Sequence, residues 1–402
     1  MPVQRAGKAT HQETRAHNEQ LVLGTIYAAG RISRAEVARR TDLTRTTVSD
    51  VVNGLLRDRL VLEIGRGPST GGKAPILLEV ASDARHLIGL DLGDKVFRGA
   101  IVDLRGSIVR SIDVAVDDRD GDEALDRVFG LVDQLVAAAD RPLLGIGIGT
   151  AGLIDTPRGT VLEAVNLDWR DVPLGPRVAE RTGLPVYVVN DSQATALAEH
   201  VFGGARTPNL IVVKVGYGIG AGVILDGRLF HGDGFGAGEI GHSTVRPDGE
   251  LCRCGRRGCL ETVASSRAIL NRLAAQSPGR FAGLGAAIAA FRAGDTEVRA
   301  VVSDAARELG LGVAWLVGAL NVRRVVLVGS VAGFGPGWLD VVASTVRGGA
   351  LPILTAETTL EIGRLHDDGV ILGASALLMT GELGLSLAGL PDLAAAAMDL
   401  AG

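Results

Sequence analysis

Three cysteines and one histidine near the middle of the chain constrain its fold more than any other feature. Cys252, Cys254 and Cys259 lie within eight positions, and His242 precedes the first of them by ten residues. Three thiolates and an imidazole make a closed tetrahedral zinc site, and the intervening glycines let a short loop turn all four inward. We therefore predict a structural zinc ion. An odd number of cysteines without a secretory signal disfavours the alternative, a disulfide with one spare thiol.

A glutamate flanks this cluster on each side, Glu239 before it and Glu261 after it. Four ligands already complete a structural zinc site, so the metal needs neither carboxylate. Paired carboxylates accept hydrogen bonds, as they do from sugar hydroxyls. One interpretation is therefore a ligand such as a sugar beside the metal loop, and solvated loop acids are the other.

Length and composition predict a multidomain α/β protein. A chain of 402 residues is too long for one core, and 47% hydrophobic residues with 56 glycines fit a compact, loop-rich α/β chain. From Met1 to about Gln20 the sequence is polar and lacks the apolar segment of a secretion signal. No uncharged run reaches the length of a membrane span. We predict a cytoplasmic protein with reduced cysteines and no membrane partner.

Charge is distributed unevenly along the chain. Residues 1–80 contain 12 Lys and Arg against 8 Asp and Glu, whereas the remaining residues contain 29 against 38. A basic head on an acidic body predicts a polyanionic partner for the head only.

Three helices are predicted in the basic head. Apolar spacing indicates a short helix from His17 to Ala29 and a second one after Ser33, which suits an N-cap. The third helix has apolar residues on one face from Val48 to Leu56. Its first turns carry side chains that suit phosphates and base edges in the major groove, namely Arg45, Thr46, Thr47 and Ser49. A small helical bundle without a nucleic-acid role is the alternative.

The segment after the third helix favours DNA binding. Two apolar strands between Leu60 and Glu79 flank a glycine-rich tip that carries Arg66 and Lys73. This pattern predicts a β-wing, whose basic tip enters the minor groove or touches the DNA backbone. We predict a winged helix-turn-helix DNA-binding domain over residues 1–80, with a double-stranded operator as its partner.

Two strand-glycine-strand hairpins, near Gly93 and Gly216, predict a duplicated α/β body with a cleft between two lobes. Between them, a strand ends in Asn190 and Asp191 at the start of a helix. Asp191 is a candidate general base for a sugar hydroxyl, and a helix N-cap is the alternative. The predicted lobes are residues 84–192, against which a helix at 369–380 packs, and residues 193–368, which carry the zinc loop. Residues 381–402 form a tail without an assigned role.

With these motifs placed, the chain resembles the ROK family, which groups sugar-responsive transcriptional repressors with sugar kinases. The resemblance runs from the helix-turn-helix to about residue 380 and rests on the His242 and three-cysteine motif and on the glycine-rich stretch before it. It implies an actin-like, RNase H-like two-lobed fold. It also implies a sugar pocket lined by Asn166, Asn190, Asp191, Glu239, His242 and Glu261. In kinase members the residue that matches Asp191 is the catalytic base.

Three departures from the kinase pattern lie on the nucleotide side. Asp94 stands where kinase members carry a glycine that approaches a phosphate, and its charge repels ATP. Tyr217 replaces the threonine of a Gly-Thr-Gly hairpin, and Ser330 interrupts a third glycine motif. We therefore predict a sugar-responsive transcriptional regulator, a repressor of carbohydrate metabolism genes that does not phosphorylate its sugar or sugar phosphate effector.

Two alternatives stay open from the sequence. One is an active ATP-dependent kinase of a hexose or an N-acyl-hexosamine that carries a DNA-binding head. The other is a regulator whose pocket is vestigial and which answers to a protein partner. A homodimer or homotetramer is predicted in the regulator interpretation, since symmetric operators pair with symmetric proteins.

Overall fold

The computed structural model describes residues 11–68, 74–117, 119–203 and 207–385. The predicted wing residue Lys73 and the tail beyond residue 385 lie outside these ranges. The described chain forms a head and two lobes, each with its own sheet. None of the helices in these ranges combines the length and the hydropathy that a membrane crossing requires.

The head is a helix-turn-helix with a three-stranded wing in the order β1-β3-β2. Ser33 caps the second helix as predicted, since its Oγ accepts the Glu36 N–H at 3.2 Å. The predicted start of the first helix at His17 is wrong, because polar first turns with no apolar repeat hide the true start at His11. The elements are α1 (His11–Ala29), β1 (Ile32–Ser33), α2 (Arg34–Thr41), α3 (Arg45–Arg57), β2 (Val61–Arg66) and β3 (Ile76–Val80).

The first lobe is built on a five-stranded sheet in the order β11-β7-β4-β5-β6, with a small sheet β10-β9-β8 beside it. The apolar face of α4 covers the large sheet and forms one core with it. The elements are β4 (His86–Leu92), β5 (Val96–Asp103), β6 (Ile108–Ala115), α4 (Gly121–Ala138), β7 (Leu143–Thr150), β8 (Leu153–Asp155), β9 (Thr160–Ala164), β10 (Trp169–Val172), α5 (Leu174–Thr182), β11 (Val186–Asn190) and α6 (Asp191–Val201).

The second lobe repeats the strand order of the first, β14-β13-β12-β15-β16, and this confirms the predicted duplication. In each sheet the first strand, β4 or β12, pairs antiparallel with the next strand on one side. On its other side it pairs in parallel with a later strand, and one more parallel strand follows. The elements are β12 (Leu210–Val215), β13 (Ile219–Leu225), β14 (Arg228–Leu229), α7 (Glu261–Ala264), α8 (Ser266–Gln276), α9 (Leu284–Arg292), α10 (Thr296–Leu320), β15 (Arg324–Val328), α11 (Pro336–Gly349), α12 (Pro352–Thr355) and β16 (Thr359–Ile362).

The last described helix, α13 (Gly369–Leu383), forms a central layer with α6. A Cβ at Gly373 would lie 1.7 Å from the carbonyl oxygen of Ala194, so this close crossing requires glycine. On its other side α13 packs on the first-lobe strands β4 and β7, while α6 also packs on β12 and β13 of the second lobe. The predicted lobe boundary at 192/193 therefore falls inside the helix that contacts both lobes.

The head is packed against this central layer rather than tethered loosely. Its buried apolar residues and those of α6 and α13 belong to one continuous cluster. In the turn between β5 and β6, Arg105 donates from Nη1 to the Tyr27 carbonyl oxygen at 2.8 Å and lies 4.5 Å above the Tyr27 ring. Gly384, just after α13, lies against Gln20 of α1, and Leu385 is buried. The predicted tail thus begins too early, because residues 381–385 belong to the folded body.

Candidate functional site

A cavity of about 1100 Å³ lies between the two lobes and is lined by residues of both. This volume slightly exceeds the usual range for sites that enclose small molecules, roughly 300–1000 Å³. The structure brings all six predicted sugar-pocket residues to its wall, namely Asn166, Asn190, Asp191, Glu239, His242 and Glu261. Whether they bind a sugar stays a prediction.

Asp191 forms an ion pair inside this cavity. Its Oδ2 accepts a hydrogen bond from the Nζ of Lys214 on β12 at 2.5 Å. Burial alone would raise the pKa of Asp191, but the Lys214 charge holds it below its ordinary value. Burial would likewise lower the pKa of Lys214, yet Asp191 and Asp91 raise it. Both groups are therefore ionised at neutral pH.

Asn190, and not Asp191, caps helix α6. Its Oδ1 accepts the Ser192 N–H at 2.9 Å and the Gln193 N–H at 3.1 Å, while its Nδ2 donates to the Gly152 carbonyl at 3.0 Å. The N-cap alternative for Asp191 is thus wrong, because the preceding residue fills that role. These three bonds occupy the Asn190 amide, whereas Asp191 lines the cavity and accepts hydrogen bonds from Lys214 and from the Ser192 hydroxyl.

Two further carboxyl groups in the cavity have raised pKa values. Burial, followed by the charges of Asp191 and Glu261, raises the pKa of Glu239 to about 7. Burial and then the charge of Asp191 raise the pKa of Asp94 to about 6. Near neutral pH Glu239 can therefore either donate or accept a hydrogen bond, which suits a hydroxyl, itself both a donor and an acceptor.

Asn166 and Glu261 already have partners in the cavity wall. The Oδ1 of Asn166 accepts a hydrogen bond from Nη1 of Arg253 at 2.9 Å. One Glu261 oxygen accepts the Ile219 N–H at 3.2 Å, and the other lies 3.6 Å from Nη2 of Arg267.

Sequence reasoning missed Lys214 and Arg253. Lys214 had a visible signal, because it is the one charged residue in the apolar strand β12. Arg253 had none, since its partner Asn166 lies 87 positions away.

The three departures from the kinase pattern border the same region. Asp94 and Tyr217 line the cavity. Ser330 begins a 3₁₀ helix, Ser330–Phe334, and its Oγ would lie 3.8 Å from a Cβ at Gly216. The β12–β13 hairpin and the segment after β15 therefore meet beside the cavity.

The four predicted metal ligands converge. One donor atom from each of His242, Cys252, Cys254 and Cys259 lies within 4.8 Å of the others. The Cys254 and Cys259 Sγ atoms are 3.7 Å apart, and the Cys252 Sγ is 3.6 Å from the His242 Nδ1. A tetrahedron with Zn–S bonds of about 2.3 Å and a Zn–N bond of about 2.0–2.1 Å has S–S and S–N edges of roughly 3.8 and 3.6 Å. The cluster could therefore hold a metal ion of that size.

His242 joins this cluster to the cavity. Its Nδ1 faces the cysteines, while its Nε2 lies 3.9 Å from Oε2 of Glu239. The two predicted roles of His242, in the metal site and in the pocket wall, thus fall to opposite edges of one ring.

The predicted DNA-binding residues of α3 lie in its first two turns, at the N-terminal end. Val48, Val52 and Leu55 are fully buried and fix the helix against the head. Thr44 caps it, since its Oγ1 accepts the Thr47 N–H at 3.1 Å. Arg45 and Thr46 are exposed, Thr47 and Ser49 are half-buried, and Arg66 is exposed at the end of β2.

Comparisons with known proteins agree on one family. The ROK family model matches residues 87–380. The xylose repressor of Caldicellulosiruptor bescii is 33% identical over 390 residues, which cover 91% of this chain and 96% of the relative.

Two solved structures are also similar. A ROK family transcriptional regulator, a homologue of the Escherichia coli Mlc protein, superposes with a TM-score of 0.81 at 27% identity, covering 93% of this chain and 98% of that one. A ROK family glucokinase from Streptomyces griseus, in complex with glucose and AMPPNP, has a TM-score of 0.67 at 31% identity. It covers 73% of this chain and 98% of its own. The family model spans well over half of the chain, and so this chain belongs to the ROK family.

Proposed function

We propose that this chain is a sugar-responsive transcriptional regulator that represses its target genes until a sugar binds between its lobes. One observation carries the proposal. A winged helix-turn-helix head shares a continuous core with a body whose two lobes enclose a polar cavity. Relatives that extend over the head as well as the body include a xylose repressor and an Mlc homologue. The glucokinase likeness covers a smaller share of the chain.

Phosphoryl transfer is the second candidate, because the family includes glucokinases and Asp191 lines the cavity. A general base must take a proton from the sugar hydroxyl, and it does so best with a pKa near the working pH. The ion pair with Lys214 holds the pKa of Asp191 below its ordinary value, which weakens it as a base. Asp94 adds negative charge where phosphates would approach. We propose that the chain binds a sugar without phosphorylating it.

We propose that the Cys3His cluster holds zinc as a structural ion. The edge lengths of the cluster and its soft sulfur ligands suit zinc. When bound, the ion would supply folding energy to the loop rather than chemistry, since His242, Cys252, Cys254 and Cys259 fill all four positions.

The proposed mechanism is thermodynamic linkage between sugar and operator. A sugar that contacts both lobes favours one degree of closure. Because the head shares a core with α6 and α13, a change in closure moves the head with them. In a homodimer or homotetramer this changes the spacing of two heads relative to two half-sites, and operator affinity falls.

The proposal predicts that one sugar both stabilises the protein and releases it from DNA. The measurement is a panel of pentoses, hexoses and N-acyl-hexosamines, each free and phosphorylated, scored by thermal unfolding and by release from an operator fragment selected from genomic DNA. A sugar that binds only the folded state raises the unfolding temperature. If no sugar does both, the sugar-responsive proposal is wrong and a protein partner is the better explanation.

Replacing Arg45 with Ala should weaken operator binding by about 1–3 kcal/mol if Arg45 contacts a base. If it contacts only phosphate, the loss should be uniform across sequences and the salt dependence should become less steep. Titration of the operator at several salt concentrations separates these outcomes. Arg57→Ala, at the opposite end of α3, is the control and should have a much smaller effect. Equal effects of the two variants would mean that another element reads the DNA.

A further inference from the structure

Arg253 connects the metal loop, residues 242–259 with the four predicted ligands, to the first lobe. It stands between the two predicted metal ligands Cys252 and Cys254, and it lines the cavity. Its Nη1 donates to Asn166 Oδ1 at 2.9 Å, and its Nη2 donates to the Tyr217 hydroxyl at 2.9 Å. Asn166 lies between β9 and β10 of the first lobe, whereas Tyr217 lies in the β12–β13 hairpin of the second. One guanidinium thus joins both lobes across the cavity.

A second arginine extends this connection. Arg267 of α8 lies 5.5 Å from the centroid of the Tyr217 ring, and Arg253 lies 5.4 Å from the same centroid. Arg267 in turn pairs with Glu261 at 3.6 Å. The contacts therefore run from Asn166 through Arg253, Tyr217 and Arg267 to Glu261. Both ends of this chain are predicted sugar-pocket residues, and its middle residue is one of the departures from the kinase pattern.

The hydrogen bond to Arg253 also sets the orientation of the Asn166 amide. With Oδ1 committed to the guanidinium, the Nδ2 group is left as a donor toward other partners. An arginine fork holds two acceptors in one fixed geometry, which a lysine ammonium cannot reproduce. Arg253 is therefore suited to holding Asn166 and Tyr217 in a set arrangement.

We propose that Arg253 is a positioning residue of the effector site that couples sugar binding to metal binding. This inference rests on the proposed function and names a regulatory link within it. A sugar bound to Asn166 favours the arrangement in which Arg253 bridges the lobes, and that arrangement fixes the backbone between Cys252 and Cys254. By linkage, sugar raises the zinc affinity and zinc raises the sugar affinity by the same factor.

The test uses the full-length, zinc-loaded protein with D-xylose and D-glucose as probes, the sugars in the names of its relatives. Calorimetry gives the sugar affinity, and equilibrium competition with a chelator gives the zinc affinity with and without saturating sugar. In the unmodified protein, sugar should tighten zinc binding. Arg253→Ala should lower the sugar affinity, because the Asn166 amide loses the partner that orients it, and should abolish the effect of sugar on zinc.

Three further variants make the result specific. Arg253→Lys keeps the charge without the fork and should also lose the coupling. Arg257→Ala, on the same loop, removes a side chain that donates to the Gly249 carbonyl of that loop at 3.4 Å, and it should keep both the affinity and the coupling. If Arg253→Ala cannot hold zinc at all, Tyr217→Phe removes only the hydroxyl acceptor and should weaken the coupling in a folded protein.

The outcomes separate this inference from the function on which it rests. Unchanged coupling in Arg253→Ala, or in Tyr217→Phe where the first variant fails, overturns the role of Arg253 while sugar binding stands. Failure of the unmodified protein to bind any sugar of the wider panel removes the proposed function and this inference with it.

Discussion

Replacing Asp191 with Asn is expected to make release from the operator insensitive to sugar while DNA binding is retained. The change removes a carboxylate that can accept a hydroxyl proton, and it leaves Lys214 with a neutral partner. A hydrogen bond to a charged group contributes about 1.5–3 kcal/mol, so the sugar affinity should fall by roughly 10- to 150-fold. Operator binding should be retained, because the predicted DNA-binding residues lie in the head and Asp191 does not.

Calorimetry with the releasing sugar and operator titration measure the two effects of Asp191→Asn. Asp168→Asn is a matched control, because Asp168 also lines the cavity but is exposed, and it should change the sugar affinity by less than about threefold. A coupled ADP-release assay on the unmodified protein completes the test. Sugar-dependent turnover that disappears in Asp191→Asn would show that the protein is a kinase.

Replacing Cys254 with Ser is expected to remove the metal and to destabilise the second lobe by roughly 3–5 kcal/mol, the range of large single-site losses. A Cβ at Gly258 would lie 1.5 Å from the Arg246 carbonyl oxygen, so the backbone of the loop is tightly folded on itself. Without the ion, ion pairs from Arg246 to Glu308 at 2.8 Å and to Asp304 at 2.9 Å would be left to hold the loop to α10.

Elemental analysis and chemical unfolding measure the effect of Cys254→Ser. The unmodified protein stripped with a chelator provides the control, since added zinc should restore its stability but not that of the variant. A zinc-free protein that is fully stable before any treatment would exclude the structural role of the metal.

The sequence predicted those structural features that depend on residues close together in the chain. The apolar face of α3, the cap at Ser33 and the cysteine spacing are each set by residues near in sequence, and all appear in the structure. The family resemblance then added Asn166, Asn190 and His242 to the pocket. Local patterns had already singled out the carboxylates Asp191, Glu239 and Glu261. The start of α1 was missed because its first turns are polar and exposed from Thr14 to His17, so they contain no apolar repeat.

The sequence did not predict the side-chain contacts between residues that lie far apart in the chain. Lys214 and Asp191 lie on different elements, and a lysine within an apolar strand does not reveal which carboxylate it meets. Arg253 and Asn166 lie in different lobes. The docking of the head on the central layer was also missed, because Arg105 and Tyr27 give no sign of their contact until the chain is folded.

The packing of α13 has a consequence for how the chain folds during its synthesis. A ribosome makes the head before residues 369–385, and domains that are complete on their own fold as they emerge. Here the apolar face of the first-lobe sheet and part of α1 stay exposed until α13 and Leu385 have been made and pack on them. We expect a nascent chain that ends before α13 to expose this surface and to be degraded or to aggregate. A late nonsense mutation would then remove the repressor entirely, rather than release a DNA-binding fragment that no sugar could control.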